Sequence, residues 1–251
     1  MSHHIVEATD LRYTYPDGTP GLEGVSFRIT HGESVAIVGA NGAGKSTLLL
    51  HLNGCILPVQ GTISIGGTLV SRNTLGSVRR TVGMVFQNAD DQLFMPTVFE
   101  DVAFGLRNMG IKESEIGHRV AEALNTVGAG HLAGRPPYKL SQGEKRLSAI
   151  ATVLVMSPDI LVMDEPSSSL DPKARSRLIE LLKTFRHTKI FATHDLDLAL
   201  DLCERTIVIH KGRVAADGGT GDIFNNTALL YESGLEKPLR MQKCPPLFDK
   251  L

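Results

Sequence analysis

Residues 34–54, SVAIVGANGAGKSTLLLHLNG, place a glycine-rich turn between an apolar run and a leucine-rich one. Gly39, Asn41, Gly42 and Gly44 lie in the turn, and Lys45, Ser46 and Thr47 follow. G-x-x-x-x-G-K-S therefore spans a strand-to-helix junction. The chemistry such a turn serves is phosphate binding. Its glycines let an anion approach the backbone, whose N–H groups turn inward. The positive end of the following helix faces the same anion. Lys45 adds a charge for the outer phosphates, and the Ser46 hydroxyl is placed to ligate Mg²⁺.

A phosphate loop that hydrolyses its nucleotide also needs an acidic strand end. The run ILVMDE at 160–165 supplies one. Asp164 can hold Mg²⁺ through water, and Glu165 can polarise or deprotonate the attacking water. Gln87 follows the apolar stretch 82–86 and has an amide that could reach the metal ion and that water; alone it also fits an ordinary strand-terminal amide. His194 ends another apolar stretch and could hydrogen-bond a γ-phosphate, although a lone histidine is more often structural. Tyr13 or Tyr15 could stack on an adenine ring, or both could pack on a sheet. Leu140-Ser141-Gln142-Gly143-Glu144 offers a hydroxyl and a glycine N–H at a second helix start, hence a second anion site. One nucleotide does not need two such helix starts in one chain. Two subunits sharing two nucleotides do.

The elements that must position these residues follow from pattern. Residues 5–30 alternate and are broken at 16–18 and 20–21, which predicts short antiparallel strands. Residues 62–65 and 82–86 read as strands. Residues 88–156 turn helical, with one helix over 99–109 and another carrying Ile116, Val120, Leu124 and Val127. A further helix starts near Ser141, with Leu147, Ile150, Ala151 and Leu154 on one face. The stretch far exceeds a simple crossover between parallel strands and predicts an inserted helical subdomain. Strands at 160–163, 189–192, 206–210 and 214–216 then alternate with helices at 172–185 and 196–202. Residues 226–251, with Pro238, Pro245 and Pro246, read as a C-terminal tail, packed on the surface or partly disordered.

Composition narrows the function classes. Over 251 residues the net charge is −1, which gives no electrostatic case for nucleic acid as a partner. The three cysteines, Cys55, Cys203 and Cys244, lack metal-ligand spacing and fit a reduced, cytoplasmic compartment. No run approaches the roughly 18 apolar residues of a spanning helix, and no signal-peptide pattern opens the chain. Any work at a membrane is expected through a partner.

Taken together, the motifs resemble the ATP-binding cassette (ABC) family, the nucleotide-binding subunits of membrane transporters, over residues 4–225. Tyr15 is similar to the aromatic that stacks on adenine, and 39–47 to the Walker A loop. Gln87 matches the Q-loop glutamine, 140–144 the signature, and 160–165 the Walker B strand with its catalytic glutamate. Ser169-Leu170-Asp171 matches the loop linking two sites, and His194 the switch histidine. The resemblance implies an α/β fold with a RecA-like P-loop NTPase core, an N-terminal antiparallel β subdomain and the helical insertion at 88–156. It implies ATP and Mg²⁺ as ligands and a head-to-tail dimer with a second ATPase subunit. Each ATP would lie between Walker A of one subunit and Ser141 and Gly143 of the other. The usual signature is L-S-G-G-Q, so Gln142 stands where a glycine is expected; tighter or shifted packing at that helix start, and altered kinetics at most, are the expected consequence.

A narrower resemblance, in FQNADDQLF at 86–94, TVFEDVAFG at 97–105 and LLLHLNG at 48–54, is to energy-coupling-factor ATPases, in particular those of cobalt and nickel importers. It implies a membrane coupling subunit, a substrate-binding membrane subunit and a peripheral place on the cytoplasmic face of the cell membrane. Residues 88–104, with Leu93 and Phe94 exposed, would form the groove for a helix of the coupling subunit. Vitamin importers of this type use closely similar ATPases, and soluble cassette ATPases share the motifs.

Overall fold

The computed structural model describes residues 4–242. Two sheets organise the chain. The first is antiparallel, in the order β2-β1-β4-β5, built from β1 (His4–Thr14), β2 (Pro20–Thr30), β4 (Gln60–Ile65) and β5 (Thr68–Leu69). The expected short strands at 5–30 are instead two strands of 11 residues. Pro20 opens β2 rather than joining a turn, because the reversal closes earlier, with Tyr15 N–H donating to Thr19 C=O at 2.9 Å. Proline is tolerated there as the first residue of a strand.

The second sheet has six strands, in the order β10-β9-β3-β8-β7-β6. They are β3 (Ser34–Val38), β6 (Val82–Val85), β7 (Ile160–Asp164), β8 (Thr188–Ala192), β9 (Arg205–His210) and β10 (Arg213–Gly219). Only β10 runs antiparallel to its neighbour. β7 and β8 are buried along their whole length, as continuous apolar runs in a parallel sheet require. Strand periodicity divides the core in two. Val35 and Ile37 face the antiparallel sheet and helix α1 (Lys45–Leu52), whereas Ala36 and Val38 face the larger helical side.

That helical side holds α3 (Val98–Asn108), α4 (Glu113–Thr126), α5 (Gln142–Leu154), α6 (Pro172–Thr184) and α7 (Leu196–Leu202). α2 (Leu75–Thr81), which hydrophobic period did not announce, precedes β6. α3, α4 and α5 fall between β6 and β7, as the pattern of 88–156 predicts. The buried face of α5 differs from the expected one. Ala149, Ile150, Ala151 and Val153 are buried, together with Arg146 and Ser148, while Leu147 and Leu154 are only partly covered. Leu93 is also buried, contrary to expectation, and Phe94 beside it is 63% exposed.

Part of the expected tail is helical: α8 (Thr220–Asn225) and α9 (Thr227–Glu232) follow the last strand. Arg240 then fastens the chain to α7 through Asp197 and Asp201. Cys244, Pro245 and Pro246 lie outside the described residues. Among the described residues no helix is long and apolar enough to cross a membrane.

Because β3, β8, β7 and β6 are parallel neighbours, their carboxyl ends share one edge of the sheet, where ligands bind in open α/β folds. Those four ends lead into the glycine loop, His194, Glu165 and Gln87, respectively.

Candidate active site

The glycine loop is shaped by two close approaches. A Cβ on Gly39 would stand 2.2 Å from the Ile209 carbonyl oxygen, and one on Gly44 2.5 Å from that of Gly21. Gly44 also has φ +108°, in the region that favours glycine. It caps α1 without a side-chain hydrogen bond, unlike Thr97, Asp171 and Asp195 at the starts of α3, α6 and α7. The first N–H groups of α1 are thus left to an anion. Lys45 is buried, and its ammonium donates to Gly39 C=O (2.8 Å) and Ala40 C=O (3.1 Å). Burial lowers its pKa, against the opposing pull of Glu165 and Asp164.

A cleft of about 460 Å³ collects Asn41, Gly42, Gly44, Lys45, Ser46 and Thr47. Tyr15, Gln87, Asp164 and Glu165 line it as well. Of the two tyrosines, Tyr15 faces it, with its hydroxyl 2.8 Å from Thr47 Oγ1. Tyr13 packs against the core, edge-on to both Tyr15 and His51.

Asp164 is 4% exposed, and its Oδ1 has no hydrogen-bond partner in the protein. Burial raises its pKa, resisted mainly by a hydrogen bond from Ser46, with Lys45 and Arg146 adding to that. A buried carboxylate oxygen without a partner, a hydroxyl and the Gln87 amide form the hard oxygen set that suits Mg²⁺. Among the described residues no three His, Cys, Asp or Glu side chains cluster as a metal cage. The raised pKa has a consequence for stability. Ionised Asp164 costs stability above that pKa, and the cost is relieved as pH falls through it. Asp164→Asn is therefore expected to raise the Tm of the nucleotide-free protein in scanning calorimetry. A lowered Tm would show that attraction to Lys45 and Arg146 outweighs the desolvation.

Glu165 follows β7 in a left-handed conformation, φ +49°. This turns its carboxylate to the end of β8, where it accepts from Thr193 Oγ1 (3.1 Å) and His194 N–H (3.0 Å). His194 Nδ1 lies 2.8 Å from Glu165 Oε1, so the histidine singled out by sequence joins the acidic strand end directly. Thr193, which belongs to none of the sequence motifs, completes that cradle.

Ser141, Gly143 and Asp171 do not enter this cleft. Ser141 caps α5 in a reciprocal box with Glu144, accepting from Glu144 N–H and donating its hydroxyl to the Glu144 carboxylate. Gln142 is exposed in the first turn of α5. Gly143 lies beside the 169–171 loop, where a Cβ would meet Ser169 C=O at 3.4 Å. Asp171 caps α6 by accepting from Ala174 N–H at 2.8 Å. Sequence reasoning also missed Arg146, a cation within the buried face of α5 whose guanidinium reaches the ends of both β6 and β7.

Known proteins resemble this chain in sequence and in fold. The family model described as ABC transporter matches residues 22–168. A Geobacter sulfurreducens protein, named provisionally as an ABC transporter ATP-binding protein, is 64% identical over 98% of each chain. An energy-coupling factor transporter ATP-binding protein of Methanothermobacter thermautotrophicus is 44% identical over 93% of this chain and 77% of its own. The structure of cbiO1 from Clostridium perfringens, part of an ABC transporter complex, superposes with a TM-score of 0.78 at 39% identity. It covers 92% of this chain and 94% of that one. With the phosphate loop, acidic strand end and histidine assembled on one sheet edge, this chain belongs to the ABC transporter family, as one of its ATP-hydrolysing subunits.

Proposed function

We propose that the chain powers an energy-coupling-factor importer on the cytoplasmic face of the membrane, taking up cobalt or nickel ion. The observation that carries the importer reading is a largely apolar groove of about 500 Å³ whose lining includes Phe86, the residue before Gln87 of the nucleotide cleft. Phe94, Phe104 and Met109 are exposed along it, and the two phenylalanine rings meet edge-on at 5.1 Å. Such a surface is costly when left in water. Within it Asp101 is buried, its Oδ1 accepting from Phe94 and Met95 N–H at 2.9 Å each and its Oδ2 without a partner in the protein. An amphipathic helix of a membrane coupling subunit, with a basic side chain for Asp101, fits both features. The choice of cobalt or nickel rests on the resemblance carried by the 86–105 segment.

In the proposed reaction, Tyr15 stacks on adenine while the glycine loop, Lys45 and Thr47 hold the phosphates. When bound at Ser46, Asp164 and Gln87, Mg²⁺ supplies positive charge to the phosphoryl oxygens. Glu165 accepts the proton of the attacking water, and Thr193 and His194 hold its carboxylate in place. Lys45 and His194 offset charge developing on the transferred group. Ser141 and Gly143 face away from the chain's own cleft and complete the site of a second ATPase subunit, a copy or a paralogue. Asp171 belongs to the loop between the two sites.

Replacing Phe94 and Phe104 by Asp should abolish copurification of membrane subunits from gently solubilised membranes, while the isolated chain keeps its ATP turnover. Recovery of a coupling subunit and a binding subunit that takes up Co²⁺ or Ni²⁺ supports the metal reading. Several different binding subunits would favour a vitamin-type module. Recovery of soluble proteins alone would overturn transport.

A further inference from the structure

Arg146 is 2% exposed, and every hydrogen bond it makes goes to a main-chain carbonyl. Nη1 donates to Phe86 C=O and, at 3.1 Å, to Gln87 C=O beyond the end of β6. Nη2 donates to Asp164 C=O and Glu165 C=O at the end of β7, and Nε to Pro166 C=O at 3.4 Å. One side chain on α5, one and a half turns from Ser141, thus holds the backbone of three residues that line the nucleotide cleft.

Two other side chains tie α5 to the segment after β6. Lys145 pairs with Asp90 at 2.6 Å, and Gln92 Nε2 donates to Ala149 C=O at 2.9 Å. Neither reaches β7. A planar guanidinium suits this task because its five N–H donors leave in fixed directions. Burying such a charge without an ion pair is expensive, and the cost is offset only if the carbonyls stay where they are. Burial lowers the Arg146 pKa to about 10, opposed by the nearby charges of Asp164 and Glu165, so the group is cationic at neutral pH. Its bond to Glu165 C=O acts on the residue whose left-handed backbone aims the carboxylate at His194.

We propose that Arg146 is a positioning residue for hydrolysis, acting through Gln87 and Glu165 by locking the helix that carries Ser141 to the ends of β6 and β7. This rests on the proposed role of Glu165 as the group that activates water. A displacement of α5, as when a second subunit engages its N-terminus, is then transmitted to both cleft residues rather than absorbed in the loops.

The test compares Arg146→Lys and Arg146→Gln in the full-length chain. Lysine keeps the charge and three donors, whereas glutamine keeps one amide. Misplacing reacting groups by about 1 Å can cost roughly 10²-fold. We expect kcat to fall about 10²-fold in Arg146→Gln and about tenfold in Arg146→Lys, with KM for ATP within about threefold. In an Glu165→Gln background, adding Arg146→Lys should lower kcat by less than it does alone, because both changes act through one group. Full additivity, a folded Arg146→Gln variant with parental kcat, or a loss expressed only in KM overturns the proposal. Failure of both variants to fold assigns Arg146 to architecture alone and also overturns it. Failure of the Glu165 reading shows separately, as parental turnover in the single Glu165→Gln variant.

Discussion

Glu165→Gln is expected to lower kcat for ATP hydrolysis by about 10²–10⁴-fold, the usual worth of a positioned general base, with KM for ATP nearly unchanged. The amide keeps the volume of the carboxylate, and its oxygen can still accept from Thr193 Oγ1 or His194 N–H. What it loses is the capacity to take a proton. The glycine loop, Lys45 and Ser46 are untouched, so ATP should bind and not turn over. A complex held together by the uncleaved γ-phosphate should then accumulate as a dimer in size exclusion with light scattering. Turnover near the parental rate would remove Glu165 from its assigned role.

Lys45→Ala acts on the other half of the reaction. Its ammonium is buried, and the contacts it makes are to the neutral carbonyls of Gly39 and Ala40. Its desolvation is therefore offset only in part, which lowers its pKa and prepares it to take an anion. A charge-assisted hydrogen bond is worth about 1.5–3 kcal/mol, and Lys45 can give more than one to a phosphate chain. The Kd for Mg·ATP is expected to rise about 10²-fold or more, as measured by displacement of a fluorescent nucleotide. Lys45→Arg should not restore it, because a longer, planar fork cannot replace a compact charge inside the loop. Binding within about threefold of the parent would show that the main-chain N–H groups carry the affinity alone.

The two variants separate binding from chemistry, and the separation was legible early for a physical reason. The glycine loop and the acidic strand end are local devices. Their residues succeed one another within a single strand-to-helix or strand-to-loop junction, so spacing along the chain is nearly spacing in space. The same holds for the Ser141 helix start, where the side chain reaches its own helix's first turn; the Asp171 cap of α6 is as local, although only the structure shows it. Gln87 and His194 carry no local signature of this kind, because what gives them meaning is the company of other strands. The sheet order supplies it, with β8 placed between β3 and β7.

Side-chain direction was the least legible feature. Tyr13 and Tyr15 differ by two positions, and only the bend after β1 brings the second to Thr47 while the first stays on the core. Leu93 and Phe94 are adjacent and equally apolar, yet one is buried and the other exposed. Their period gave no sign, because the segment 86–97 contains one 3₁₀ turn and otherwise irregular backbone. The buried arginine of α5 was hidden differently. An apolar face predicts apolar neighbours, and nothing along the helix announces the carbonyls it meets some 20 and 60 residues away.

By itself, then, the sequence determined the chemistry available: a phosphate loop, an acidic strand end and a second helix start with a hydroxyl and a glycine N–H, each written within one short stretch. The tertiary structure decided which of these share a cleft. It brought Glu165 against His194, left Ser141 and Gly143 outside the cleft of the chain's own phosphate loop, and set Arg146 under two strand ends. The reason is that hydrogen bonds across a sheet and burial between layers join residues far apart in the chain, and no local period records those pairings.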